Sequence, residues 1–327
     1  MKKIVVILAA LLIVPMALAV NDTVGDGGSE VLNVGAQVNS EGNVSVVEFA
    51  WILPDDLPTA GTQIDIVPSD THDDIYACIV MSDPEGRETI GNVYAEVYLP
   101  NGEHKYQKHA VKMTDTAEIE ECKALAVSAG LITQEEADHI DLYIDDKQQY
   151  YMYKVYLPML YHQPAGDYVV EFWGTDLSGV TSDILVGGFL WIPTIVLEYD
   201  FNSGIDFGSI LPGYEKMIPG DEDLTTSGLP TLKNEGNIPI QVGVEFTNLT
   251  GINHSKVIDR FDVQFQSFSR DFNAYAMVWA DDCLQICQTK QIDFSIHPET
   301  GIPNDVYEGD MTLFARDNEF VCVEMSP

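Results

Sequence analysis

Acidic turns are the places in this sequence where side chains could do chemistry together. Asp83 and Glu85 flank a proline in Ser82-Asp-Pro-Glu-Gly86, Asp176 opens Asp176-Leu-Ser-Gly179, Asp221 and Asp223 bracket Glu222, and Asp70, Asp73 and Asp74 form a further run. Carboxylate oxygens on loops are the hard ligands that calcium takes. Asp83, Glu85, Asp176, Asp221 and Asp223 are therefore the calcium candidates, and no other cofactor is expected. None of these turns has EF-hand spacing, which favours the competing reading of solvated turns.

Other chemistries lack their residues. The sequence has no Gly-x-Ser-x-Gly elbow for an acyl nucleophile. His72, His104, His109, His139, His162, His254 and His297 are scattered, without His-x-His, His-Glu-x-x-His or Cys-x-x-Cys-His spacing. Cys283-x3-Cys287 has no histidine in ligand register, so zinc is not expected there. With 52 acids in the chain, proximity of two carboxylates carries no glycosidase signal without a cleft that separates their pKa values. The expectation is a protein that is not an enzyme.

The charge balance restricts partners. Sixteen Lys and Arg face 52 Asp and Glu, a formal net charge of −36, and such a surface repels nucleic-acid phosphate and anionic lipid. Met1-Lys2-Lys3, the apolar run Ile4–Leu18 and the exit Ala17-Leu-Ala19 read as a signal peptide over residues 1–19, cut after Ala19. An uncleaved anchor is the alternative. An exported chain keeps disulfides. Cys78 and Cys122 fall in the first half, and Cys283, Cys287 and Cys322 in the second. Pairing within each half leaves one thiol over, and the spacing does not say which. Sequons at Asn21, Asn43, Asn248 and Asn253 are glycosylation candidates.

The positioning elements are mostly strands. Residues 20–44, rich in Gly, Ser and Asn, read as a flexible lead-in. Expected strands in the first half are Val46–Leu53, Ile75–Met81, Asn92–Leu99, Tyr106–Met113, Tyr150–Leu157, Pro158–Pro164, Gly166–Thr175 and Val186–Ile192. Asp115-x-x-Glu118 and Thr133-x-x-Glu136 have capping-box spacing, which predicts a helical hairpin over 115–140, either functional or capping an open end of the core. Tyr150, Tyr151, Tyr153 and Tyr156 place aromatics on both faces of one strand, for core packing or for sugar or protein contact.

In the second half, Ile205–Gly213 and Thr231–Pro239 read as strands meeting at turns. Further strands are expected at Thr194–Asp200, Ile240–Phe246, Arg260–Ser267, Ala274–Ala280, Lys290–Ile296 and Met311–Ala315, with an edge at Asn318–Val323. Tyr168, after Pro164-Ala-Gly-Asp, fits a tyrosine corner. Pro303-Asn-Asp-Val-Tyr307 echoes that spacing.

The "FG-x-x-x-PG" and "N-x-GN-x-P" segments resemble the opening of immunoglobulin-like modules of secreted archaeal and bacterial surface proteins. Tyr76–Gly86, Leu131–Asp138, Tyr151–Met159 and Gln291–Pro298 resemble an uncharacterised family of secreted, methanogen-type archaeal proteins with immunoglobulin-like β-sandwich modules. That resemblance implies location and architecture and brings no catalytic residue or ligand. The expected fold is all-β: two tandem immunoglobulin-like sandwiches, 45–193 with the helical insertion and 194–327. The expected function is cell-surface or extracellular contact for adhesion, matrix or surface-layer binding, with envelope proteins or glycans as partners. Two alternatives are a homo-oligomeric filament built by strand donation from residues 20–47, and a calcium- or glycan-binding module.

Overall fold

The computed structural model describes residues 44–59, 61–66, 71–72, 74–145, 149–317 and 322. The expected signal peptide, the lead-in up to residue 43, Asn21, Asn43, Asp70, Asp73 and nearly all of the edge expected at Asn318–Val323 lie outside these residues. The described chain is mostly strand with one helical hairpin, in several sheets.

Its first part comprises β1 (Val46–Leu53), β2 (Thr62–Ile64), β3 (Thr71–His72), β4 (Tyr76–Ser82), β5 (Ile90–Tyr98), β6 (His104–His109) and β7 (Val111–Lys112). After the helical hairpin come β8 (Tyr150–Tyr156), β9 (Met159–Leu160), β10 (Gly166–Asp176) and β11 (Leu185–Trp191). One sheet has the order β1-β4-β8-β7 and the other β2-β11-β10-β5-β6, while β3 pairs with β9. The chain therefore crosses between the two larger sheets at both sides, from β1 to β2 and from β6 to β7. Alternation on β5 buries Val93, Ala95 and Val97 against Tyr168, Val170, Phe172 and Trp191 and faces Ala77, Ile79 and Met81 of the other sheet.

β4 does not alternate, because it is apolar on both sides. Ala77, Ile79 and Met81 enter the inter-sheet core, whereas Cys78 and Val80 join Trp51, Leu53 and Met152 under the helices. Those helices are α1 (Thr116–Ser128) and α2 (Gln134–Asp145). The Asp115 carboxylate caps α1 by accepting from the Ala117 amide at 2.9 Å. Thr133 and Glu136 close the expected capping box: the Thr133 amide donates to Glu136 Oε2 at 2.7 Å and the Glu136 amide to Thr133 Oγ1 at 3.2 Å. Gly130, at φ 73°, takes the left-handed conformation that ends α1. The hairpin lays Ile119, Cys122, Ala126, Ile132, Ala137 and Ile140 on the outer face of the sheet, rather than over an open end of the core. A Cys78–Cys122 disulfide, Cα atoms 6.8 Å apart, fastens it.

The second part comprises β12 (Leu197–Tyr199), β13 (Lys216–Ile218), β14 (Thr231–Asn234), β15 (Ile240–Phe246), β16 (Leu249–Gly251) and β17 (Val257–Ile258). It continues with β18 (Arg260–Phe265), β19 (Phe268–Asn273), β20 (Val278–Leu284), β21 (Thr289–Ile296), β22 (Tyr307–Glu308) and β23 (Met311–Arg316). β12-β14-β21-β18-β19, with β13 alongside β21, forms one sheet; β20-β15-β23 and β17-β16-β22 form two more. Phe246, Phe261, Phe272 and Phe294 meet between them, with Phe246 stacked on Phe261 at 4.5 Å. A Cys283–Cys322 disulfide closes this part, and Cys287 is the unpaired, exposed thiol.

Two segments depart from expectation. Ile205–Gly213 is loop rather than strand, held because Phe207 is buried in the core while Ile205 and Ile210 pack against it. β19 was not anticipated: Phe268 and Phe272 face the core, but Ser269, Arg270 and Asp271 separate them and mask the apolar pattern. The β20 strand then starts four residues later than expected.

Asn237, fully buried, stitches the two parts. Its side-chain amide donates to the Ile192 carbonyl at 2.8 Å and its Oδ1 accepts from the Thr194 amide at 2.7 Å. The Ala165 amide donates to its carbonyl at 3.1 Å. Gly236 must be glycine here, since a Cβ would collide with the Thr194 carbonyl.

Candidate functional site: a cationic sandwich edge

β6 and β7 are consecutive in sequence and each is the outermost strand of its own sheet among the described residues. Ala110, between them, is buried and its amide donates to the Val93 carbonyl at 2.8 Å, so the chain changes sheets with a small side chain plugging the corner. β7 adds only two residues to β8, at Val111↔Lys154 and Lys112↔Tyr153. Val111 is 68% exposed, an apolar side chain standing free at an open edge.

Two adjoining hollows share His109, Val111 and Lys112. One, about 270 Å³, is completed by Arg87, Glu88 and Tyr151, and the other, about 520 Å³, by Lys108, Glu118, Lys154 and Tyr156. Four permanent cations thus converge against two carboxylates. Lys112 sits 3.0 Å above the Tyr151 ring centre with the Arg87 guanidinium at 4.4 Å. Lys154 lies 4.2 Å from the Tyr76 ring and donates to Glu118 at 3.0 Å. Aromatic faces attract cations and fix where they point. The Tyr151 hydroxyl hydrogen-bonds Glu88, and that bond, helped by Lys112 and Arg87, holds the Glu88 carboxyl below its ordinary range. Lys105, further along β6, is half-buried over Tyr106 and Tyr168, and burial lowers its pKa to about 8.

On a chain of net charge −36, this edge brings four cations together around two carboxylates. Edge lysines also blunt strand-to-strand association, yet stacked and directed cations go beyond repulsion, since they present fixed donors. The sequence carried a signal that spacing rules for catalysis pass over: His104-Lys105-Tyr-Gln-Lys108-His109-Ala-Val-Lys112 gathers three of 16 basic residues and two of seven histidines. Arg87 and Lys154 join only through the fold.

The calcium candidates lie elsewhere. Asp83 is fully buried, accepting from the Ser45 hydroxyl at 2.8 Å and the Glu85 amide at 2.8 Å. Asp176 accepts from Ser178 and from the Val180 amide at 2.8 Å, bonds that hold its carboxyl below the aspartate range. Asp221 takes the Thr226 hydroxyl at 2.6 Å and Asp223 the Thr225 amide at 2.9 Å. Among the described residues these five do not meet in a three-ligand group. Tyr153 is core, Tyr151 and Tyr150 pack against it, and Tyr156 is 54% exposed. The Asn253 amide donates to Asp305 at 2.7 Å on an exposed loop, and Asn248 is half-buried.

The tyrosine corner is present twice. Tyr168 donates to the Pro164 carbonyl at 2.9 Å and Tyr307 to the Pro303 carbonyl at 3.0 Å, the same four-residue reach in both parts.

No protein-family model matches the chain, and no curated protein matches it. Solved structures similar to it include one described as "Chaperone-tip adhesin complex is vital for synergistic activation of CFA/I fimbriae biogenesis". That likeness has 9% identity, covers 84% of each chain and has a TM-score of 0.29. Another is the Streptococcus agalactiae AgI/II polypeptide BspA C-terminal domain, 11% identical over 82% of this chain and 96% of that one, with a TM-score of 0.19. A third is the Streptomyces avermitilis alpha-L-rhamnosidase complexed with L-rhamnose, 7% identical over 82% of this chain and 23% of that one, also at 0.19. Scores this low carry no argument about fold or function. Among the described residues no helix is long and apolar enough to cross a membrane.

Proposed function

We propose that this chain is an exported, non-enzymatic contact protein whose two immunoglobulin-like sandwiches, residues 45–193 and 194–327, present the β6–β7 edge to an acidic, extended polypeptide segment of an envelope partner. The convergence of Arg87, Lys108, Lys112 and Lys154 on an otherwise acidic surface carries this reading. An open strand edge offers backbone donors and acceptors for strand addition, and the cations select an acidic strand over a neutral one. Separate apolar cores and a tyrosine corner in each part support the tandem arrangement, and two disulfides fit export.

The test is a fluorescence-anisotropy titration of a labelled, alternating Glu/Val peptide against the chain and against a Lys108→Glu/Lys112→Glu variant. Binding at least tenfold weaker in the variant, and weaker in 0.5 M salt, is expected. Equal binding by both proteins, or preference for an anionic oligosaccharide over the peptide, counts against it.

A second reading is favoured by composition. Residues 20–43 carry Asp22, Asp26, Glu30 and Glu41 and no Lys, Arg or His, so a neighbouring copy supplies a segment of the right charge. Sedimentation decides: filament or oligomer formation that is lost on deleting residues 20–43 identifies self-assembly, and a monomer at all concentrations identifies a separate partner.

A further inference from the structure

Glu215, Asp262 and His297 come from three neighbouring strands and share one face of the second part's largest sheet. Asp262 lies on β18, His297 follows β21, and Glu215 precedes β13. β21 is central, with Phe261↔Ile296 on one side and Lys216↔Ile296 on the other. Register therefore sets Glu215 and Arg260 opposite His297, and Asp262 one pleat along from Arg260. Residues opposite or two apart share a face, and Phe261 and Ile296, of opposite parity, fill the core.

The oxygens and nitrogens of Glu215, Asp262 and His297 lie within 4.8 Å of one another. His297 Nε2 is 2.6 Å from Asp262 Oδ2. The other Asp262 oxygen, Oδ1, is shut off from solvent and has no hydrogen-bond donor among the described residues. Glu215 is exposed. The nearby Arg260 donates through Nη2 to Asp271 at 2.7 Å and reaches Asp262 through its charge rather than through a hydrogen bond, so Asp262 Oδ1 stays without a donor among the described residues. A buried carboxylate oxygen without a donor is costly unless a cation takes it.

We propose that Glu215, Asp262 and His297 bind a first-row divalent cation, for which zinc is the probe. One imidazole and two carboxylates make the three-ligand set that leaves a tetrahedral zinc one open position. Ligand atoms on such an ion stand roughly 3.3 Å apart at ordinary bond lengths. Small side-chain rotations reach this from the present spacing: the His297–Asp262 pair opens slightly and Glu215 closes in. Calcium fits less well, since imidazole is a poor ligand for a hard cation.

Isothermal titration of the full chain with zinc chloride tests the site. One micromolar-range site is expected, at least tenfold weaker in His297→Ala and in Asp262→Asn. Because the core is adjacent, thermal melts without metal accompany both variants. Glu215→Gln, on an exposed side chain, keeps the fold and gives the deciding reading if either variant unfolds: several-fold weaker binding supports the site. No heat with zinc, affinity unchanged by Glu215→Gln and whichever other variants fold, or calcium binding tighter than zinc overturns the assignment.

Discussion

Lys105 carries its charge partly withdrawn from water, over the Tyr106 and Tyr168 rings and against the Met159 sulfur, with no carboxylate in an ion pair with it among the described residues. Its folded pKa of about 8 lies below the ordinary 10.5, so folding disfavours the protonated form. That cost is present in full below pH 8 and is relieved as pH rises through 8 toward 10.5. Lys105→Met should raise the Tm at pH 7, a stabilisation on the order of 1 kcal/mol once solvent screening is discounted, and the difference should vanish above pH 10.5. A variant less stable at pH 7 would refute this. Asp305 behaves oppositely. Burial would raise its carboxyl, but bonds from the Asn253 side chain and amide and from His254 hold it below the ordinary 3.8. Its contribution is present above pH 3.8 and lost as pH falls toward the folded value. Asp305→Asn should lower the Tm at pH 7, with the gap closing in acid, as followed by circular dichroism.

The helical hairpin is the element on which the first part's packing turns. Ile140 is fully buried beneath it, and Ile140→Ala should cost about 2–5 kcal/mol in denaturant unfolding. Cys122→Ser opens a loop of 44 residues and should cost about 2–4 kcal/mol. A cost under 0.5 kcal/mol for both would mean the hairpin is not part of the cooperative unit. Capping residues Asp115 and Thr133 made these helices legible in the sequence, as alternation did for β5 and the Gly-x-Tyr start did for Tyr168. Where the reading failed, loop burial or, in β19, three polar residues between two core phenylalanines was the reason. Phe207 and Ile210 look like strand residues yet belong to a loop, because a core can be filled from an irregular backbone. The cationic edge was legible only in part: Lys105, Lys108 and Lys112 cluster in sequence, whereas Lys154 joins Lys112 through β7–β8 pairing and Arg87 joins over the Tyr151 ring.

At the scale of the whole molecule, self-repulsion and the Asn237 clamp oppose one another. A formal charge of −36 pushes like charges apart, and salt screens them over roughly 10 Å at 0.1 M. Stability should therefore rise between 0.02 and 0.5 M sodium chloride in a thermal melt; a flat profile would show that the acids are locally balanced. Asn237→Ala leaves the Thr194 amide without its partner and the Ile192 carbonyl with only the Thr194 hydroxyl at 3.3 Å, a cost of about 1–3 kcal/mol. Faster proteolytic cutting between residues 192 and 196 is the direct readout. The clamp also has a mechanical meaning. It stands in series between the two apolar cores, so a chain tethered at one end and pulled at the other should load these few hydrogen bonds before either core is asked to yield. Stretched singly, the protein should extend first by the short length of the joint, a small early step in the force trace that Asn237→Ala moves to lower force, the backbone bonds of residue 237 remaining.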